Sequence, residues 1–234
     1  MDGNKPEHIA IILDGNRRWA RAHGIADNKG HKKGLENIHN LVDWCMDEDI
    51  KILSLYCLSV ENLKRSKSEL DFLFEYLKIS VEEIVENVKV NKERGLKYDV
   101  LGNFELLPMD MVEKINEAIK VNNKEWKNDK PKLLVNLCIC YGGRQDIVQA
   151  VRALVERGME ISEENINNRL FTKGAKDVDL LIRTGGEQRL SNFLLWQASY
   201  AELYFTDKMW PEFAKEDFTA ALEWFSKRQR RFGR

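Results

Sequence analysis

Long apolar runs are missing from this 234-residue chain. None approaches the ~18 residues that a membrane-crossing helix needs, and no signal peptide precedes His8. The expectation is a cytoplasmic protein that contacts a membrane surface without spanning it. Cysteine is scarce: Cys45, Cys57, Cys138 and Cys140 form no CxxC pair, which reads as small core-packing thiols rather than metal ligands or disulfides. An excess of one charge is missing too. With 37 basic and 38 acidic residues the net charge is −1, so nothing global points to nucleic acid. Neither GxxxxGK[ST] nor GxGxxG occurs, and both common nucleotide folds therefore lack their fingerprint. Repeats, low-complexity tracts and interdomain linkers are likewise absent.

What is present is alternation. Apolar runs at 9–13, 50–58, 96–102, 132–140, 178–184 and 202–206 are separated by amphipathic stretches at 32–48, 67–94, 109–127, 143–157, 162–170 and 214–230. This pattern predicts an α/β protein of one domain over residues 1–234, with a mainly parallel six-stranded sheet flanked by helices. Ser66 and Glu69 read as a capping box opening the second helix. The stripe Leu70, Leu73, Phe74, Leu77, Val81, Ile84, Val85 and Val88 reads as core packing or as one wall of a hydrophobic tunnel. The segment 122–131 reads as a polar loop.

In such sheets ligands collect beyond the carboxyl ends of the strands, where the unusual residues of this chain fall. The first run halts on Asp14-Gly15-Asn16-Arg17-Arg18. A carboxylate there suits Mg²⁺, a hard cation that prefers carboxylate and phosphate oxygens. Gly15 permits close backbone approach, the following amides can open a helix, and Arg18 can pair with a diphosphate. A plain DGN turn with surface arginines is the alternative. Further clusters are Ser59-Val60-Glu61-Asn62-Leu63-Lys64-Arg65, Tyr141-Gly142-Gly143-Arg144 and Arg183-Thr184-Gly185-Gly186-Glu187-Gln188-Arg189-Leu190-Ser191-Asn192. This inventory lacks a histidine or cysteine nucleophile and fits oxyanion binding with a metal better than acyl transfer. His31 in GHKKG is either structural or a phosphate donor. The terminal RQRRFGR is either a solvated basic tail or a phosphate-binding arm.

Taken together, HIAIILDGNRRWA, GHKKG, LSVENLKR, YGGR and DLLIRTGGEQRLSNFLLWQASYAELYFTDKMWPEF resemble the cis-prenyltransferase family, over nearly the whole chain. The resemblance implies a homodimer that condenses isopentenyl diphosphate with an allylic diphosphate such as farnesyl or geranyl diphosphate, giving a Z-polyprenyl diphosphate. It implies Asp14 as the Mg²⁺ and catalytic carboxylate, with Glu202 as a further metal-associated residue. Gly15, Asn16, Arg17, Arg18, Trp19 and His31 would surround the allylic diphosphate. Ser59 and Asn62 match positions near the reacting carbon and proton removal, Asn62 in a catalytic role, while Arg65 matches an allylic-diphosphate contact and Glu61 a further substrate-binding position. Arg183, Arg189 and Ser191 match the isopentenyl diphosphate site, and Arg231 and Gly233 match a C-terminal RxG that reaches the neighbouring subunit. A peripheral membrane contact would release product.

The chain departs from the family pattern at several positions. Leu58, Leu63, Ser66 and Cys140 stand where phenylalanine, tryptophan, proline and asparagine are usual, and Asp27 stands where an arginine is common. Bulk at Cys57, Phe74, Ile139 and Cys140 implies a short or medium product. The alternatives are a short-chain or branched terpenoid diphosphate synthase of the same fold, and a noncatalytic partner subunit. Such subunits generally lose the DGN and the arginines that this chain keeps.

Overall fold

The computed structural model describes residues 5–127 and 129–230. Its strands are β1 (His8–Ile12), β2 (Ile52–Ser59), β3 (Leu96–Leu101), β4 (Leu133–Tyr141), β5 (Leu180–Arg183) and β6 (Glu202–Phe205). They lie in the order β3-β4-β2-β1-β5-β6, and every pairing is parallel. The sheet expected to be mainly parallel is parallel throughout. Parallel neighbours need long crossovers, supplied by α1 (Asn16–Ala22), α2 (Asp27–Asp47), α3 (Lys67–Glu86), α4 (Val88–Arg94), α5 (Met109–Glu125), α6 (Gly143–Glu156) and α7 (Glu163–Asn167), while α8 (Lys215–Ser226) closes the described chain.

Strands covered on both faces read as near-continuous apolar runs, and successive side chains then go to opposite cores. Ile9 and Ile11 of β1 join Leu55, Leu77 and Phe218 in the larger core, beneath α2, α3, α5 and α8. Ala10 and Ile12 join Leu181, Phe193 and Leu194 in the smaller one. All four cysteines are free thiols, with Cys57 alone half-buried. Among the described residues no helix is long and apolar enough to cross a membrane.

Several local expectations need correction. The stretch 67–94 is two helices, because the Asn87 side chain turns back to donate to the Glu83 carbonyl at 2.8 Å and interrupts the ladder. Ser66 and Glu69 form no capping box: Ser66 makes no side-chain cap, and Glu69 pairs with Arg17 and Arg65 instead. The reciprocal box occurs one turn earlier, between Ser59 and Asn62. Helix α2 begins at Asp27, five residues before the periodic stripe. The polar stretch from 122 starts inside α5, with Asn122 buried.

The chain leaves β1 through α1 and α2 toward the larger core, whereas the segment after β5 carries Phe193 and Leu194 to the smaller one. The carboxyl ends of β1 and β5 therefore flank a crevice of the kind in which open parallel sheets hold ligands.

Candidate active site

Asp14 stands just past β1, and its position is over-determined. Thr184, following β5, accepts from the Asp14 amide at 2.9 Å and donates to the Asp14 carbonyl at 2.7 Å. Gly15 then turns with φ +107°, and a Cβ there would sit 2.9 Å from that of Met209, so both the conformation and the close approach require glycine. The Asp14 carboxylate accepts from Arg183 at 2.8 Å and from Arg18 at 3.3 Å. Burial pushes its carboxyl pKa up, but the hydrogen bond and charge of Arg183, with Arg18, outweigh this and leave it below the usual range. Arg183 is only 4% exposed. It also donates to the Arg189 carbonyl at 2.6 Å and the Ser191 hydroxyl at 2.7 Å, while its Nε is buried without a partner.

A cleft of about 500 Å³ opens over this pair. Its lining includes cationic or polar residues, Arg17, Arg18, Arg65, His31, Asn16 and Asn62, and apolar ones, Leu35, Ile38, Leu73, Tyr76 and Leu77. Burial, reinforced by the Arg65 charge, lowers the His31 pKa to about 4, so its ring is neutral at pH 7. His31 Nε2 and Asn16 Oδ1, like Arg183 Nε, are buried atoms without a partner, orphaned polar groups on the wall of this cavity.

Strand β2 reaches the cleft through a register shift between Tyr56 and Ser59. Such a bulge re-aims side chains at a strand end, and Tyr56, Cys57 and Ser59 all line the cavity. Tyr56 stacks on Phe193 with ring centroids 4.3 Å apart and donates to the Tyr141 and Ser191 carbonyls at 3.3 and 3.2 Å. Asn192 ties three strand-end loops together, accepting from the Gly143 and Arg144 amides and donating to Glu61. Both Ser191 and Asn192 hold positive φ.

Of the residues singled out in the sequence, Asp14, Gly15, Asn16, Arg17, Arg18, His31, Ser59, Asn62, Arg65, Arg183 and Ser191 share this cleft. Three lie off it. Trp19 packs on His23 with centroids 4.4 Å apart, Glu61 holds Asn192, and the exposed Arg189 guanidinium pairs with Glu187. Glu202 is further away. Leu180 pairs with both Ile9 and Glu202, so Glu202 lies at the amino end of the strands, roughly 15 Å from Asp14 along them. The two carboxylates cannot share one ion within a chain. Among the described residues no cluster of three or more metal-ligating side chains occurs. Arg231 and Gly233 lie outside the described residues. Phe74 packs into the larger core, as do Ile139 and Cys140, and only Cys57 of the bulky quartet borders the cleft.

Tyr56 was not singled out in the sequence, Thr184 stood only within its cluster, and Glu69 was read as a cap rather than as a partner of the cleft arginines. Tyr56 and Thr184 carried a signal, a polar residue at the end of an apolar strand. Glu69 carried none apart from its cap-like spacing.

The family model described as "Putative undecaprenyl diphosphate synthase" matches residues 12–233. The chain is 43% identical to the tritrans,polycis-undecaprenyl-diphosphate synthase (geranylgeranyl-diphosphate specific) of Thermoplasma volcanium, over 98% of this chain and 90% of that protein. It is also 43% identical to isoprenyl transferase 1 of Corynebacterium diphtheriae, over 98% and 88%. The crystal structure of lavandulyl diphosphate synthase from Lavandula x intermedia, in complex with dimethylallyl diphosphate, superposes with a TM-score of 0.89 at 36% identity, covering 98% of this chain and 99% of that one. The fold, a parallel sheet flanked by helices, is thus shared with a prenyl diphosphate synthase. The chain belongs to the undecaprenyl diphosphate synthase family of cis-prenyltransferases and is a prenyltransferase, an enzyme that transfers alkyl groups other than methyl.

Proposed function

We propose that this enzyme condenses isopentenyl diphosphate with an allylic diphosphate primer in the cleft above Asp14 and Arg183, giving a Z-polyprenyl diphosphate. The observation that carries the reading is a cleft whose lining combines guanidinium and amide groups with aliphatic and aromatic side chains. A prenyl diphosphate has a half suited to each. Arg17, Arg18 and Arg65 lie where they can take the leaving diphosphate as its bond to the allylic carbon breaks, and neutral His31 can donate to a phosphate oxygen. Preorganised donors of this kind stabilise charge that develops in the transition state. Arg183 and Ser191 face the second diphosphate, which holds the attacking alkene near the electrophilic carbon. The resulting cation loses a proton, and Asn62, fixed by its capping box with Ser59, lies where it can position a weak base.

Mg²⁺ belongs to this proposal. Asp14 supplies a single carboxylate, which fits an ion held by one or two carboxylates with substrate phosphates and water. When bound it would neutralise diphosphate charge. A homodimer belongs to it as well. β6 is an edge strand with Leu203 exposed, and Glu202 lies at the strand end away from this chain's own cleft. Both are reasons to expect a second copy. The Thermoplasma relative is named for geranylgeranyl diphosphate and the lavender structure holds dimethylallyl diphosphate, so primer length is left to experiment among geranyl, farnesyl and longer allylic diphosphates.

Purified protein with Mg²⁺, radiolabelled isopentenyl diphosphate and a series of primers should give a labelled, extended Z-prenyl diphosphate on chromatography. No product with any primer would overturn the reading. The likeness to lavandulyl diphosphate synthase favours one second reading, a branched coupling, which would appear as product formed from an allylic diphosphate alone.

A further inference from the structure

The positive rim of the cleft is already occupied by carboxylates of the same chain. Arg17 and Arg21, one helical turn apart on α1, both reach Asp27, the first residue of α2. Arg17 Nε donates at 2.9 Å, and Arg21 donates through two nitrogens at 3.0 and 2.8 Å. Arg17 also turns NH1 to both oxygens of Glu69 on α3, at 3.2 Å each. Arg65 meets that same Glu69 at 3.1 Å. Three guanidinium groups and two carboxylates thus form a continuous chain across α1, α2 and α3. The hydrogen bonds from Arg21 and Arg17 hold the Asp27 pKa down to about 2, so Asp27 is ionised at neutral pH.

Three of these five groups, Arg17, Arg21 and Arg65, line the main cleft, and neither Asp27 nor Glu69 does. Asp27 and Glu69 instead line a second cavity of about 340 Å³, which shares Arg17 and His31 with the first. Arg17 and His31 therefore stand between the two spaces, and Arg17 is held on the second side by its carboxylate partners.

We propose that Asp27 and Glu69 are specificity-determining residues, an internal carboxylate clamp that a diphosphate must displace from Arg17, Arg21 and Arg65 in order to bind. The clamp rests on the function proposed above, since it presumes that the cleft receives a diphosphate. Its physical basis is competition. A carboxylate at 2.8–3.2 Å occupies the guanidinium donors and cancels the local positive potential that an anion would feel. The clamp weakens binding of the diphosphate that meets α1 and leaves the second diphosphate, at Arg183 and Ser191, unaffected. It also makes binding reorganise the rim, because releasing Arg17 unlinks α1 from α3.

The test is calorimetric titration of inorganic pyrophosphate into wild type, Asp27→Asn, Glu69→Gln and, as a remote charge control, Asp47→Asn. Pyrophosphate should bind about tenfold tighter to the first two variants, with the gain shrinking as salt is added, and unchanged to the control. In steady-state assays KM for the allylic primer should fall, and KM for isopentenyl diphosphate should hold. Binding to Asp27→Asn and Glu69→Gln that is equal to or weaker than wild type, in proteins of wild-type thermal unfolding midpoint, would overturn the clamp and show the carboxylates to be supports for the arginines. The titration needs no turnover, so failure of the condensation assay and failure of the clamp are separate results.

Discussion

Asp14 is tied to Arg183, a nearly buried guanidinium, and this decides which substitution tests it. Asp14→Ala would remove the charge that compensates Arg183 and cost stability along with activity, a few kcal/mol for a buried unpaired charge. Asp14→Asn keeps an acceptor for Arg183 and Arg18 while removing the anionic oxygen. It should fold with a melting point near wild type and lose at least about 100-fold in kcat, measured by label incorporation. His8 yields a second prediction at this scale. Its ring lies inside the sheet, hydrogen-bonded to Ser54 and the Lys176 carbonyl, and burial lowers its pKa to about 4. Between about 6.5 and about 4 the unfolded chain binds a proton that the native state refuses, so stability falls as pH drops through that window. The slope is at most ~1.4 kcal/mol per pH unit. His8→Asn should flatten that part of a plot of urea midpoint against pH. Asp14, Arg18 and Arg183 were legible in the sequence because charged side chains at the ends of apolar runs have few structural uses. Thr184 and Glu69 were not, since their roles depend on which residue lies opposite.

At the level of elements, the GHKKG motif acquires a mechanical meaning. Gly30 and Gly34 are one turn apart on α2, and a Cβ on either would meet Asn16, at 2.1 Å from its carbonyl oxygen or its side-chain oxygen respectively. Their smallness lets α2 lie directly against the start of α1. Trp210 seals the junction by donating to the Gly34 carbonyl at 2.7 Å. Gly34→Ala should therefore push Asn16 and Trp210 outward. The expected cost is about 1–3 kcal/mol of stability with a loss of about 100-fold in kcat/KM from the misplaced wall, read by thermal unfolding and steady-state kinetics. Periodicity located the strands and the longer helices well, because a buried strand and an amphipathic helix each leave a repeating apolar signature. It missed α1, whose seven residues are too few to show a repeat, and the break at Asn87, a local hydrogen-bonding choice within an unbroken stripe.

For the molecule as a whole, the apolar wall of the cleft is where product size should be set under the proposed function. The sequence pointed to Phe74, but that ring packs against the larger core away from the cleft, which Leu73, Tyr76 and Leu77 line instead. Leu77→Ala would leave a core cavity costing about 2–5 kcal/mol, so Tyr76, which packs only on Phe72 among the described aromatic rings, is the cleaner site. Tyr76→Ala should lengthen the product on chromatography, and Phe74→Ala should leave it unchanged. A stripe in a sequence tells which residues are apolar, and only the crossing of α3 over the sheet tells which of them meet ligand.

The last described residue also has a bearing on assembly. Arg230 is paired with Asp179, whose second carboxylate oxygen accepts from the Glu7 and His8 amides at 2.9 and 3.0 Å, and Glu202 donates its amide to the Asp179 carbonyl at 2.9 Å. Arg230 is thus moored beside Glu202 at the far rim of the sheet, roughly 20 Å from Asp14. Under the proposed homodimer, in which the terminal RxG serves the neighbouring subunit, each reaction chamber would be a joint property of both chains. An Asp14→Asn copy and one shortened after Arg230 should each be inactive alone under that proposal, and co-expressing them should restore turnover through the mixed pairs.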